Sequence, residues 1–163
     1  MADLNTALIY LMRWEDDGLT GRITQDDGGR TRFGIAERFH PEVSAFGFFD
    51  IPKIDALPIA YAIYRRCYWN VMLGNKIDSQ ALANKLLSLG VNLGMVRVIR
   101  WAQGCAGVNT DGEAGPETIA AWNAKSPEAC LVSRAVIHYR GRVSAKPHLA
   151  VDLDGWLRRA QDS

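Results

Sequence analysis

The apolar residues at the start of the chain recur at the i, i+3, i+4, i+7 and i+8 spacing of an amphipathic helix. They are Leu4, Ala7, Leu8, Leu11 and Met12. Asp3 directly precedes them and predicts an N-cap, because its side chain can accept a hydrogen bond from a free backbone N–H group. Gly18 follows the pattern and can cap the C-terminal end. The chain is therefore predicted to begin with a helix that buries one face.

The same spacing predicts further helices downstream. Their start signals in the middle of the chain are Asp55–Pro58, Ser79 and Met95. In the last third they are Pro116 as a first-turn proline, Ser126 as an N-cap, and a short terminal helix around Trp156–Ala160. Most of the chain is thus predicted to be helical.

One stretch, residues 18–36, does not follow the helical pattern. Polar and apolar positions alternate from Leu19 to Thr24, and Asp27-Gly28 is a turn signal. The stretch predicts a small β-hairpin between the first two helices, and residues 41–55 predict a connecting loop. The predicted fold class is mainly α with this one β excursion.

Composition narrows the class of protein without identifying it. The chain has 163 residues, 48% of them hydrophobic, and a net charge of +1, so it can bury a core and carries no strong basic field for nucleic acid. Its longest uncharged run, Leu86–Val96, is about half a membrane span, and no membrane insertion is expected. His40, His138 and His148 lack metal-ligand spacing, and the sequence predicts no metal or cofactor.

The cysteines and the N-terminus bear on the compartment. Cys67, Cys105 and Cys130 are widely spaced without a CxxC pair, and we expect buried free thiols in a reducing compartment. Residues 1–11 include Asp3 but no lysine or arginine, which is not typical of a signal peptide. The sequence therefore predicts a protein kept in the cytoplasm.

Glu15 is the first candidate for chemistry. It lies four residues after Leu11 and so continues the apolar stripe toward the core. Partial burial, the negative end of the helix and the two aspartates that follow it all favour the neutral carboxyl form, which a general acid needs. The alternative is that Glu15 pairs with Arg13, Arg22 or another arginine at a helix end, and spacing alone leaves both open.

The predicted hairpin offers a second group of candidates. Asp26, Asp27 and Thr31 follow Glu15 closely in sequence. A helix-end acid opposite an aspartate and a threonine could protonate a glycosidic oxygen and position a water. We assign Asp26 and Thr31 to catalysis and Asp27 to substrate binding. Asp27-Gly28 could equally be only a turn, and Thr31 only a strand residue.

The order of motifs along the chain resembles a known family. The motifs are Arg13-Trp14-Glu15, Asp26–Ile35, Ile63–Trp69, Val91–Gly94 and Asp111–Thr118. They resemble those of the glycoside hydrolase family 108 N-acetylmuramidases, which are phage and prophage endolysins and secretion-associated muramidases. That family has a Glu-Gly-Gly-Tyr segment, then Asp-Pro-Gly-Gly-x-Thr-x-Tyr-Gly-Ile, a Tyr-Trp pair, an Asn-x-Gly turn and a peptidoglycan-binding-like tail.

The resemblance implies roles for individual residues. Glu15 falls on the family's catalytic glutamate, and Thr31 falls on its Thr-x-Tyr-Gly segment. The substrate contacts that it implies are Phe33, Tyr68, Trp69 and Asn92. Tyr68 and Trp69 could equally be core residues, and Asn92 could be a helix-end cap. The chain departs from the family where Asp16-Asp17 replaces Gly-Gly and where the hairpin proline is missing.

The resemblance also implies an architecture and a function. It implies a lysozyme-like helical domain, with residues 1–74 as the muramidase part and residues 75–163 as a peptidoglycan-binding-like part packed with it. The expected activity is cleavage of the β-1,4 bond between N-acetylmuramic acid and N-acetylglucosamine, in an endolysin that a holin releases to the periplasmic wall. The alternatives are a lytic transglycosylase and a non-catalytic wall-binding or secretion-accessory protein.

Overall fold

The computed structural model describes residues 1–26 and 29–162, and helices make up most of this part of the chain. Its eight α-helices are α1 (Leu4–Glu15), α2 (Glu42–Ala45), α3 (Lys53–Tyr64), α4 (Gln80–Leu93), α5 (Met95–Ala106), α6 (Pro116–Lys125), α7 (Glu128–Ala145) and α8 (Leu153–Gln161). A π-helical turn at Arg65–Trp69 continues α3. No helix in these residues is long and apolar enough to cross a bilayer.

The β excursion lies between α1 and α2, as predicted, and forms a three-stranded antiparallel sheet. Its strands are β1 (Thr24–Asp26), β2 (Gly29–Arg32) and β3 (Ile35–Ala36). Phe33 and Gly34 join β2 to β3 with φ values of 50° and 73°. Positive φ at both central residues is the geometry of a type I′ turn, which matches the twist of paired strands. The predicted fold class, mainly α and lysozyme-like, is confirmed.

Two of the predicted caps are present. Asp3 accepts a hydrogen bond from the Thr6 N–H at 2.8 Å, and Ser79 accepts one from the Leu82 N–H at 3.1 Å. Pro116 begins α6, where its missing N–H removes no helical hydrogen bond.

Three local predictions were wrong in detail. Ser126 is not an N-cap: it ends α6 in a left-handed conformation, and α7 starts after Pro127 without a side-chain cap. Helix α3 begins at Lys53, before the predicted start signal, and includes Pro58. The predicted loop 41–55 contains the short helix α2. Each pattern marked a boundary region but not which residue adopts the capping conformation.

Helix α4 lies at the centre of the core. Most of its side chains are buried, and α1, α5, α7 and α8 all pack against it. Buried apolar residues form one cluster that runs from Ala2 to Ala160. The core is therefore continuous across the boundary expected near residue 74, and it holds the end of α1 close to α8.

The expectation of three free thiols was wrong. Cys105 in α5 and Cys130 in α7 form a disulfide, and Cys67 is free and half-buried. The two cysteines are 25 residues apart in sequence, and the packing of α5 on α7 brings their Cα atoms to 5.8 Å. Sequence spacing could not show this contact, because it depends on how two helices pack. The prediction of a reducing compartment relied on three free thiols, so it is no longer supported.

Candidate active site

Glu15 is the last residue of α1, and its side chain is 15% exposed. Its Oε1 accepts a hydrogen bond from Nη2 of Arg159 at 2.5 Å. Arg159 lies in the last turn of α8. The structure therefore shows the arginine pairing that the sequence left open, but with neither Arg13 nor Arg22. Because the pair is largely shielded from water, each charge offsets the cost of burying the other.

Helix α4 fixes the guanidinium of Arg159. Nε donates to Ser88 Oγ at 3.0 Å, and Nη2 also donates to the Ser88 carbonyl oxygen at 2.9 Å. The Arg159 side chain is 8% exposed. Sequence reasoning missed both residues because Arg159 is 144 residues from Glu15, and no spacing rule connects them. The one local feature that could have pointed to Arg159 is its position next to the buried Ala160 on a short amphipathic helix.

The turn between β2 and β3 covers another side of the Glu15 carboxylate. A Cβ atom on Gly34 would lie 2.6 Å from Glu15 Oε2 and would overlap the hydroxyl of Tyr64. That hydroxyl donates to the Phe33 carbonyl oxygen at 2.9 Å and so ties α3 to the turn. Only glycine fits between these groups, which explains why the backbone can approach the carboxylate so closely.

The Glu15 carboxylate contributes to raised pKa values of two tyrosines. Burial, and then the Glu15 carboxylate, raise the pKa of Tyr64 well above its ordinary value. The pKa of Tyr68 is also raised, first by burial and then by Cys67 and Glu15. The Tyr68 hydroxyl lies 3.4 Å from Nε2 of His40. Tyr68 is half-buried beside the site, so it remains a candidate for contact with a sugar ring.

Two of the predicted partners of Glu15, Asp26 and Thr31, lie on the sheet. Asp26 is the last residue of β1 and pairs with Gly29. Thr31 is half-buried in the middle strand and pairs with Thr24 and Ala36. Asp27 lies outside the described residues. The sheet thus follows the end of α1, as the prediction requires, and the catalytic roles of Asp26 and Thr31 stay predictions.

Two predicted substrate contacts are core residues. The side chain of Phe33 is 1% exposed, and Trp69 is 3% exposed with Gly74 packed against its ring. Neither ring is available to a glycan, because both fill space between elements. Phe33 instead contributes its backbone carbonyl to Tyr64.

Asn92 lies at the surface in the last turn of α4, one turn after Ser88. Its Oδ1 accepts a hydrogen bond from the Tyr139 hydroxyl at 2.7 Å. The amide nitrogen remains for other partners, so Asn92 is still a candidate for substrate binding.

The motif at residues 111–118 is a turn organised by the buried Gln103. Its Nε2 donates to Asp111 Oδ1 at 2.7 Å, to the Glu113 carbonyl at 3.0 Å and to Thr118 Oγ1 at 3.1 Å, while its Oε1 accepts from the Gly112 N–H at 2.9 Å. These bonds satisfy the Gln103 amide within the protein. The packing of α5 on α6 therefore accounts for the motif without a ligand.

The described residues contain no cluster of three or more histidine, cysteine or carboxylate side chains suited to a metal ion. The group at this site that is suited to proton transfer is the well-oriented carboxyl group of Glu15. Oε1 of Glu15 is held by Arg159, and Oε2 lies toward the sheet. Such a group can give a proton to, or take one from, a molecule that reaches it.

A glutamate at a helix end beside a small sheet, in a mainly helical chain, is the arrangement of a lysozyme-like fold. The model of one family, Glycosyl hydrolase 108, matches residues 10–94. The chain belongs to this family, so it is a glycoside hydrolase for which peptidoglycan is the implied substrate. Glu15, the sheet and all of α4 lie inside the match, whereas Arg159 lies outside it.

A solved structure shows the same fold over nearly the whole chain. SagA from Brucella abortus is 21% identical, with a TM-score of 0.68, and the alignment covers 96% of this chain and 88% of that one. At this identity the similarity establishes the fold only. A search of curated proteins gave no match.

Proposed function

We propose that the protein is an N-acetylmuramidase that cleaves the β-1,4 bond between N-acetylmuramic acid and N-acetylglucosamine, with Glu15 as its general acid. The observation that carries this proposal is the Glu15 carboxyl group, placed at the helix end with one oxygen fixed by Arg159 and the other facing the sheet. Glu15 also matches the catalytic glutamate in the family's Glu-Gly-Gly-Tyr segment. One positioned acid is the minimum that glycosidic cleavage requires.

In the proposed reaction, the ion pair of Glu15 with Arg159 is the resting state, and Glu15 takes up a proton before it reacts. The protonated carboxyl group then gives this proton to the glycosidic oxygen as the bond from that oxygen to the sugar's anomeric carbon breaks. A water molecule then supplies hydroxide to the anomeric carbon and a proton to the enzyme. Arg159 lies against the carboxylate that remains on Glu15 and stabilises it by charge. Asp26 or Asp27, together with Thr31, holds the water or stabilises the positive charge that develops on the sugar.

The compartment and biological role are part of the same proposal. We propose an endolysin of phage or prophage origin that a holin releases from the cytoplasm and that acts on the wall in the periplasm. The Cys105–Cys130 disulfide supports activity in the periplasm, because disulfides persist in that oxidising compartment. The C-terminal helices would assist wall binding.

Digestion of purified peptidoglycan followed by mass spectrometry of the products tests the activity. The wild-type protein should release fragments with reducing N-acetylmuramic acid ends. Glu15→Gln keeps the shape of the side chain but cannot donate the proton, so it should lose activity by about 100-fold or more. Glu117→Gln, which changes an exposed glutamate in α6, is the matched control and should digest normally.

The other possible outcomes of this digestion each indicate a different function. Anhydro ends would show a lytic transglycosylase, which closes a ring instead of adding water. Binding to sacculi without release of fragments would show a wall-binding protein. Wild-type rates for Glu15→Gln would refute the role of Glu15.

A further inference from the structure

A cavity lies on the surface of α4, α5 and α7. It has a volume of about 430 Å³ and is lined by Asn92, Arg97, His138, Arg142 and Lys146, among others. Three of these, His138, Arg142 and Lys146, are four residues apart in succession, so they share one face where α7 ends. Arg97 reaches the same cavity from α5.

The positive charge of this cavity is not compensated within the described residues. No carboxylate there lies within 4.0 Å of Arg97, Arg142 or Lys146, and none lines the cavity. The cations are close enough to act on each other, since burial and then Arg97 and Arg142 lower the pKa of His138. Like charges gathered around a cavity repel, and a bound anion would relieve that repulsion.

The guanidinium of Arg142 is held in place before any ligand arrives. It lies over the ring of Trp156, 4.5 Å from the centroid, and Trp156 stacks on Tyr139 at 5.3 Å. The Tyr139 hydroxyl in turn donates to Asn92. A fixed guanidinium loses little conformational freedom on binding, and its planar donors match a carboxylate.

Helix α4 connects the cavity to the partner of Glu15. Asn92 at its edge is one helical turn after Ser88, which bonds Arg159. Four residues of α-helix span about 6 Å, which is comparable to the length of one sugar ring. A peptidoglycan strand at Glu15 could therefore place a neighbouring substituent in the cavity.

We propose that this cavity binds a carboxylate of the peptidoglycan substrate, carried by the stem peptide on the muramic acid next to the cleaved bond. The proposal rests on the proposed function, because it takes the orientation of the glycan from Glu15. The chemistry that it assigns is recognition of an anionic substituent by Arg97 and Arg142. An uncharged glycan such as chitin would lack this contact.

Binding measurements with soluble probes test the proposal without relying on catalysis. The probes are the disaccharide N-acetylglucosaminyl-N-acetylmuramic acid carrying its tetrapeptide, the same disaccharide with a free lactyl carboxylate, and neutral N,N′-diacetylchitobiose. None contains the bond that the enzyme is proposed to cut. Arg97→Gln and Arg142→Gln should each weaken binding of the tetrapeptide probe about tenfold, since each removes a charge-assisted contact.

Arg140→Gln is the matched control. It removes an exposed arginine from the same helix but outside the cavity, and it should leave every affinity unchanged. Arg97→Gln also keeps the stacking of Arg142 on Trp156, so a loss seen in both variants cannot come from that contact. Diacetylchitobiose should bind all variants equally.

The outcomes separate the two carboxylate sources and the two proposals. A loss confined to the tetrapeptide probe assigns the carboxylate to the stem peptide, whereas an equal loss for the peptide-free disaccharide assigns it to the lactyl group and overturns the stem-peptide assignment. Unchanged affinities in both variants, no binding of either charged probe, or an equal loss for diacetylchitobiose would overturn the cavity's role. These results stand even if Glu15→Gln proves fully active, which would refute only the proposed function.

Discussion

Glu15 and Arg159 behave as one unit at the scale of single residues. Arg159 is bonded to α4 through both its Nε and its Nη2 atoms, so it cannot follow Glu15 into solvent without breaking those bonds. Glu15 is likewise held by its helix. Removing one partner therefore leaves the other charge in a site with little water, which costs more free energy than the pair itself contributes.

Arg159→Met is expected to lower the free energy of unfolding by about 3 kcal/mol, because it leaves the Glu15 carboxylate without a cation. It should also slow peptidoglycan digestion about 100-fold, since the acid loses the group that orients it. Urea unfolding and wall-clearing assays measure the two effects. Arg158→Met removes the neighbouring exposed arginine and should change neither.

The double variant Glu15→Gln with Arg159→Met separates coupling from general damage to α8. An amide has no charge to leave unpaired, so the double variant should be more stable than Arg159→Met alone. Stability losses that simply add would show that the two side chains do not interact.

The sequence predicted that Glu15 faces the core but did not predict its partner, for a physical reason. A carboxylate on the apolar stripe of a helix is visible in the local pattern, because helical spacing alone places it toward the core. The partner depends on where α8 docks, which no local pattern encodes. Arg13, one of the residues considered, lies 3.7 Å from Asp162 instead.

At the scale of secondary-structure elements, the sheet contacts α1 and α3 through the turn between β2 and β3. Alternating residues predicted the β excursion, and the type I′ turn at Phe33-Gly34 follows from the strand twist. What the pattern did not predict is that this turn lies against Glu15 and Tyr64. The close approach of a backbone turn to these side chains is a property of packing, and Gly34 is the sign of it in the sequence.

Gly34→Ala is expected to destabilise the fold by roughly 3 kcal/mol and to reduce activity at least tenfold. The new methyl group would meet both the Glu15 carboxylate and the Tyr64 hydroxyl, in addition to the strain of a left-handed alanine. Thermal unfolding and peptidoglycan digestion report the two changes.

Gly47→Ala separates strain from contact. Gly47 has a similar φ of +63°, but a Cβ atom there would meet nothing within 4 Å. This variant should lose only about 1 kcal/mol and keep its activity. Equal losses in the two variants would mean that the contact with Glu15 has no consequence.

The prediction that Ser126 is an N-cap failed for a similar reason: a local pattern does not show how a neighbouring element packs. Ser-Pro-Glu has the residue types of a helix start, and α7 does begin there. The backbone of Ser126 nevertheless serves the end of α6, because the two helices are separated by too few residues for both to have separate caps. Helix existence was therefore predictable from residue types, whereas the exact boundary was decided by the neighbouring helix.

At the scale of the whole molecule, charge is distributed unevenly between the two halves of the chain. Residues 82–163 contain 10 basic and 7 acidic residues, a net charge of +3, and residues 1–81 carry −2. The basic half supplies the cationic cavity on α5 and α7 and Arg159 of the site. The Cys105–Cys130 disulfide joins these same two helices, linking the last turn of α5 to the first turn of α7.

Reduction of this disulfide should lower the free energy of unfolding by about 3.5 kcal/mol, because an open loop of this length gains chain entropy in the unfolded state. Urea unfolding with and without dithiothreitol measures the difference. Cys67→Ser, which removes the free thiol, should respond to the reductant as the wild type does, whereas Cys105→Ser should not respond. Thiol titration of the unfolded, unreduced protein should find one free cysteine; three would show that the helices meet without a covalent bond and would remove the support for a periplasmic site of action.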